Sequence, residues 1–243
     1  MTALSSDPLA ITHLAEVGST NDWLLAHAAD LPDGHWVIAD RQTAGRGRRG
    51  RVWNDGSDQG LGNFMASVIV RAEGEVQQLS FVAALALHGA LAAVTGQPAR
   101  FALKWPNDVL LDGVKCSGIL LERTGEALVI GIGVNLAHHP VGTERPAASL
   151  AGAGLPVPTP RALLDHVAAA FTDWRGVWQR EGFAPVKSAW LAHAAGVGDR
   201  IVARLGAQSP EGVFAGLADD GALLMGLDDG TMRAVHAGEV FAL

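Results

Sequence analysis

Apolar positions recur at helical spacing, or run through short strands, along most of the first 195 residues. GSTNDWLLAHAA (18–29) reads as a capped helix: Ser19 or Thr20 can supply the cap oxygen, and Trp23, Leu24 and Ala28 form an apolar face. LPDG (31–34) is a turn signal, and HWVIAD (35–40) a mostly buried strand. NFMASVIVR (63–71) predicts another strand, and residues 75–95 a helix closed by Gly96. RFALKW (100–105), KCSGILLER (115–123) and ALVIGIGVNL (127–136) predict three more strands, joined by turns at 106–114 and 124–126. Pro, Gly and Ala make 137–160 a loop, after which helical patterns occupy 161–180 and 185–195.

After Gly196 the texture changes. GDRIVARLG, EGVFAGLAD, GALLMGLDD and GTMRAVHAG are short apolar stretches parted by DDG turns at 219–221 and 228–230. They predict a small β-barrel over residues 196–243, beside a main domain of residues 1–195. So short a chain makes a marginal core, and the barrel is expected to lean on its neighbour.

Composition narrows the function classes. With 49% hydrophobic residues among 243 and a mean hydropathy of +0.20, the chain can bury a sizeable core. The net charge of −7 argues against a protein that coats nucleic acid. A single cysteine, Cys116, rules out an internal disulfide and suits a reducing compartment. The N-terminus has no basic segment followed by an apolar core, and the apolar run at 81–94 is too short to span a membrane. These features predict a cytoplasmic protein with no membrane contact.

Against that acidic background, GRGRRGR (45–51) places four arginines within six positions. Its first six residues match the dinucleotide pattern G-x-G-x-x-G, but no helix period follows, so the context of a dinucleotide fold is missing. A nucleic-acid patch lacks interleaved aromatics and a helix-turn-helix. A plain solvated loop is the bland alternative, yet like charges on a glycine backbone favour an anion among them. Glycine lets backbone N–H groups approach that anion, and Arg forks grip phosphate or carboxylate bidentately. The glycine-rich stretch 43–62 thus predicts a loop that orders around a small polyanion.

Five segments in order, GSTN (18–21), TAGRGRRGR (43–51), KWPND (104–108), KCSGILLE (115–122) and GIGVNL (131–136), resemble the biotin protein ligases over roughly residues 15–140. The resemblance implies an α+β fold, with a class II aminoacyl-tRNA-synthetase-like mixed sheet and an SH3-like C-terminal barrel. It also implies the activity: biotin and ATP form biotinyl-5′-AMP, and biotin then passes to a lysine of a biotin carboxyl carrier domain. Mg²⁺ is expected on the ATP phosphates, near Asp108.

Carried over by position, Ser19, Thr20, Asn21 and Gln42 would bind the ureido ring. Gly45, Arg46, Gly47 and Arg48 would cover biotin, with Arg46 and Arg48 on the carboxylate and the adenylate phosphate. Arg51, Trp53 and Lys104 would serve the nucleotide, as would Asn107, Asp108 and Asn135. Lys115 would touch the carboxyl and phosphate oxygens, making it catalytic together with Arg46 and Arg48, while Gly118 would admit the biotin chain. Arg49 is expected in solvent. Taken without the resemblance, Ser19 or Thr20 is a helix cap, P-N-D a turn, and Lys115 a solvent tether.

The chain departs from the family pattern where Cys116 replaces a small residue and where NDGSDQGLGNF follows Trp53 in place of a shorter turn. Cys116 is expected to pack rather than react. The chain begins too close to GSTN for an N-terminal winged helix, so no DNA binding is expected; the partner is the carrier domain, and the assembly a monomer or homodimer. Lipoate or octanoate transfer on the same fold is the nearest rival, although its R-R-x-x-G-G-G signature is absent. A non-enzymatic nucleic-acid binder is the rival from another class.

Overall fold

The computed structural model describes residues 9–53, 61–142, 146–206 and 208–243. Its main sheet is built from β1 (Ile11–Val17), β2 (Trp36–Gln42), β3 (Phe64–Arg71), β4 (Phe101–Lys104), β5 (Asp108–Leu111), β6 (Val114–Thr124) and β7 (Ala127–Val134). These lie in the order β1-β2-β3-β7-β6-β5-β4. β1 and β2 are parallel, linked by a crossover through helix α1 (Thr20–Ala26); the remaining neighbours are antiparallel.

Strand alternation divides the sheet into two unlike faces. Ile38, Val68, Ile130 and Ile132 point into the main core, beneath helices α2 (Leu79–Thr95), α3 (Pro160–Glu181) and α4 (Phe183–Ala192). On the other face, Val37, Ile69 and Val129 pack with Leu24 and Ala28 in and just beyond α1. That short helix covers only one end of its face. Over the rest, Ser67, Gly118, Gly131 and Gly133 carry side chains too small to fill the space, and a hollow results.

Helix α2 is the buried helix of the layer, and Gly96 closes it at φ 67°. With the 3₁₀ turn at Val76–Gln78 the helical stretch reaches 20 residues at hydropathy 1.6, long and apolar enough to cross a membrane by composition alone. The 14-residue apolar run understated that length. Packing assigns the stretch to the core instead: 72% of its most apolar 18 residues are buried, and it packs against α3, α4 and the sheet.

Four elements differ from the sequence reading, one of them a fifth C-terminal strand at Glu239–Ala242 beyond the four apolar stretches read after Gly196. Residues 11–17 form an edge strand, unannounced because only one side is shielded and its polar residues make cross-strand pairs such as His13 to Asp40 at 2.7 Å. The turn at 106–114 contains β5, whose four residues are too short for a periodic signal. Helix α1 stops at Ala26, where His27 takes a non-helical φ and its ring nitrogen bonds Trp23 O at 2.7 Å.

The C-terminal part forms a five-stranded antiparallel sheet. Its strands are β8 (Arg200–Arg204), β9 (Glu211–Leu217), β10 (Leu223–Gly226), β11 (Met232–Val235) and β12 (Glu239–Ala242), in the order β11-β10-β9-β8-β12. Ile201, Phe214 and Met225 belong to the same continuous core as the main sheet, and Trp105 Nε1 donates to Gly221 O at 3.1 Å. The small sheet therefore leans on the large one, and β12 reaches the hollow.

Candidate active site

The hollow is a cavity of about 490 Å³. Its floor follows from register: Gly133 lies opposite both Met65 and Gly118, and Gly131 opposite both Ser67 and Leu120. A Cβ at Gly131 would collide with Asn21 Oδ1, and one at Gly133 would lie 2.6 Å from the Trp53 indole. In GIGV the aliphatic residues face the core and the glycines make room for two side chains from elsewhere.

One end is lined by neutral hydrogen-bonding side chains and backed by an ion-paired Arg46 and Glu122. Ser19 caps α1, so Thr20 and Asn21 emerge buried at the helix start. Gln42 Oε1 accepts from Thr20 N at 2.8 Å and lies 3.0 Å from Thr20 Oγ1. Ser67 Oγ lies 2.7 Å from Thr20 Oγ1 and 2.6 Å from Asn21 Oδ1. Asn21 Nδ2 donates to Glu122 Oε2 at 2.8 Å, and Arg46 Nη2 donates to the same oxygen at 2.9 Å. Arg46 also pairs with Asp22.

The other end is cationic. The segment after β2 folds back on itself through Trp53 N to Gly45 O, at 2.9 Å, and an Arg46–Val52 bridge. Arg49 adopts φ 60° in the tight turn between them and is exposed. Arg48 Nη1 donates to Asn107 Oδ1 at 3.1 Å, and Asn107 Nδ2 donates to Ile119 O at 2.5 Å. Burial, with Arg49 adding to it, pulls the Arg48 guanidinium below its ordinary pKa, while Asp108 counteracts. Lys115 Nζ donates to Asp108 Oδ1 at 2.5 Å and stands 5.8 Å from the Trp53 ring centre.

Beyond Trp53 lies Asn135, just past the end of β7. It is buried, and its Nδ2 donates to Ala148 O at 3.1 Å. Its Oδ1 is a buried acceptor with no hydrogen-bond partner among the described residues. The far wall is β12: Glu239 pairs with Arg51, and Lys104 Nζ stands 5.2 Å from the Phe241 ring centre.

Every residue singled out in the sequence lines this cavity except Gly45, which serves from behind: a Cβ there would meet Trp53 O at 2.8 Å. Arg49 also borders the cavity, though exposed. The sequence reading missed Ser67, Glu122, Glu239 and Phe241. Ser67, alone polar within FMASVIV, could have been noticed; the other three depend on strand pairing and on the docking of the small sheet. Cys116 faces away, fully buried, its thiol pushed up to about 12 by burial, and it packs as expected. Of the NDGSDQGLGNF segment that departs from the family pattern, residues 54–60 lie outside the described residues.

Among the described residues no group of three or more His, Cys, Asp or Glu side chains comes together to hold a metal ion. The cavity carboxylates, Asp108 and Glu239, are engaged by Lys115 and Arg51. The described residues do not build a resident metal site.

Comparison with known proteins agrees with this geometry. Residues 15–136 match the biotin/lipoate A/B protein ligase family, and residues 197–243 the biotin protein ligase C-terminal domain. A biotin--[acetyl-CoA-carboxylase] ligase from Paracoccus denitrificans is 44% identical over 94% of this chain and 98% of the relative. The enzyme of the same name from Mycobacterium tuberculosis is 34% identical over 95% and 88%. The structure of biotin protein ligase from Aquifex aeolicus in complex with biotin and ATP superposes with a TM-score of 0.85 at 27% identity, covering 96% of this chain and 99% of that one. A hollow with a hydrogen-bonding end and a cationic end, on a fold and sequence shared with these proteins, places the chain in the biotin/lipoate A/B protein ligase family, among its biotin protein ligases.

Proposed function

We propose that the protein joins biotin to ATP as biotinyl-5′-adenylate and transfers the biotinyl group to a lysine of a biotin carboxyl carrier domain. The observation that carries this reading is the polarity of the cavity. A hydrogen-bonding end at Thr20, Asn21 and Gln42, backed by Ser67, adjoins a cationic end at Arg48 and Lys115. A lipoyl dithiolane has no N–H or C=O with which to extend the hydrogen-bond network of this end.

Biotin enters with its ring on Thr20 and Asn21 and its carboxylate toward the arginines. ATP lies across Trp53 with its base toward Asn135, whose spare Oδ1 accepts an exocyclic amino proton. Carboxylate and α-phosphate repel each other in water. Arg48 and Lys115, with Arg46 at the loop, offset that repulsion and stabilise charge on the phosphorus as the carboxylate oxygen bonds to it and pyrophosphate departs. In the second step the acceptor amine attacks the acyl carbon, AMP leaves, and the amine proton passes to solvent. Magnesium arrives with the triphosphate as part of the substrate, on the Asp108 side. No enzyme nucleophile is needed.

On this reading residues 1–195 are the catalytic domain, and the barrel of residues 196–243 completes the nucleotide wall through β12. The working setting is the cytoplasm, as a monomer or homodimer without a DNA target. The test is biotin-dependent exchange of labelled pyrophosphate into ATP, followed by mass analysis of a carrier domain offered biotin or lipoate. Exchange that needs biotin and a biotin mass shift are expected. Exchange supported by lipoate, or none with either acid, would overturn the reading.

A further inference from the structure

Glu122 lies outside the cavity lining, yet one of its oxygens touches both halves of the recognition end. Gly118, Leu120 and Glu122 alternate onto one face of β6, so Glu122 stands one step beyond the deep end of the cavity. Its Oε2 accepts from Asn21 Nδ2 at 2.8 Å and from Arg46 Nη2 at 2.9 Å. We propose that Glu122 is a positioning residue that sets the direction of the hydrogen-bond chain facing the ligand's ureido group and, through Arg46, holds the glycine–arginine segment over it. This rests on the biotin reading of the cavity.

The direction follows from counting protons. A carboxylate accepts only, so Asn21 must turn its amide N–H toward Glu122 and its Oδ1 toward Ser67. Ser67 has a single proton, which Asn21 Oδ1 then takes. The 2.7 Å contact between Ser67 and Thr20 must in that case use the Thr20 proton. Both lone pairs of Thr20 Oγ1 are left to accept an N–H, and donating to Ser67 makes that oxygen a stronger acceptor. Without Glu122, Asn21 Nδ2 keeps only the long 3.5 Å contact to Leu120 O, and the amide can turn over. The Ser67 proton then moves to Thr20, and Thr20 donates to Gln42 Oε1, 3.0 Å away. The cavity end would meet an N–H ligand with one of those lone pairs already occupied.

The second arm is electrostatic. Arg46 has two carboxylates, Asp22 and Glu122. Asp22 is half exposed, whereas the Glu122 side chain is only 25% exposed and so is less screened by solvent. Glu122 is thus the firmer of the two anchors for the segment that would close over the adenylate.

Glu122→Ala and Glu122→Gln separate the two arms. Glu122→Ala should raise the KM for biotin roughly tenfold or more, the loss expected for a charge-assisted hydrogen bond. The KM for ATP and the melting temperature should stay near wild type, and release of biotinyl-adenylate should accelerate. Glu122→Gln keeps an acceptor for Asn21 and should recover most of the biotin KM, but as a neutral partner for Arg46 it should leave adenylate release fast. Equal biotin KM in the two variants would overturn the proposal. So would a parallel rise in the KM for ATP, or a loss of activity tracked by a fall in melting temperature. If the wild type shows no biotin-dependent exchange, the functional reading fails and takes this inference with it. If it shows exchange while the variants behave as in those overturning cases, only this inference fails.

Discussion

The indole of Trp53 lies over Gly133, where a Cβ would stand 2.6 Å from the ring. A loop residue and a strand residue eighty positions apart in sequence thus define the middle of the cavity, and neither has another obvious reason for its size. Gly133→Ala should push Trp53 off the floor. Stacking of a base on an aromatic ring contributes about 1–3 kcal/mol, so the KM for ATP should rise roughly five- to a hundredfold. Biotin affinity in the absence of nucleotide should change little; titration calorimetry with each ligand checks both.

Lys115→Ala should damage adenylation first. Removing one charged donor to a developing oxyanion typically costs about 10²–10³ in rate. Folding should change little, although Asp108 loses its 2.5 Å partner. The measurement is pyrophosphate exchange beside a thermal melt; near-normal exchange would remove Lys115 from the chemistry.

Arg48→Gly should separate holding the adenylate from making it. Arg48 joins the loop to Asn107 at 3.1 Å, and through Asn107 to Ile119 of β6. Lys115 and Arg46 remain to offset the charge repulsion, so adenylate should form, but escape should be roughly ten- to a hundredfold faster for one lost charge-assisted contact. Freed mixed anhydride acylates exposed lysines. A lysine-rich bystander protein incubated with the variant, ATP and biotin should gain more biotin than with the wild type.

Acid should destabilise the fold through His88. It is buried on α2, stacked on His193 with ring centroids 4.1 Å apart, and its Nε2 has no hydrogen-bond partner among the described residues. Burial lowers its pKa, and the neighbouring His193 lowers it further. Released on unfolding, the ring returns to about 6.5. The unfolded state therefore binds the extra proton first, so this contribution is intact above about pH 6.5 and is lost as pH falls below it. Melting temperatures from pH 7.5 down to 5.5 should drop, and His88→Leu should flatten that slope.

Cys116 should resist alkylation in the native protein at pH 8 and react fully in denaturant, because burial holds its thiol near 12. Cys116→Ala should retain activity. Rapid labelling of the native protein together with inactivation would return the thiol to consideration as a nucleophile.

Part of the site was legible residue by residue. The run GRGRRGR announces an anion because like charges on glycine are unfavourable alone, and GSTN announces a helix start with spare oxygens. GIGV was read as a buried strand; its glycine alternation also encodes a sheet face stripped of side chains, a signal the period-two pattern contains and the residue names reveal. The edge strand at 11–17 and the short β5 were not legible, since neither has enough buried positions to repeat.

The sequence by itself determined which groups the protein has to offer: the capped Ser19–Asn21 start, the arginine–glycine segment, the P-N-D turn and Lys115. Each follows from local chemistry, because caps, turns and charge runs act over a few residues. Only the tertiary structure decided who meets whom. Ser67 joins Thr20 and Asn21 because β3 runs beside β7 under α1. Glu122 reaches Arg46 from 76 residues away, and Glu239 brings the C-terminal sheet to Arg51. Such partnerships are set by sheet register and by how a small sheet rests on a larger core. Both are the outcome of burying all the apolar faces at once, and no local stretch of sequence specifies that.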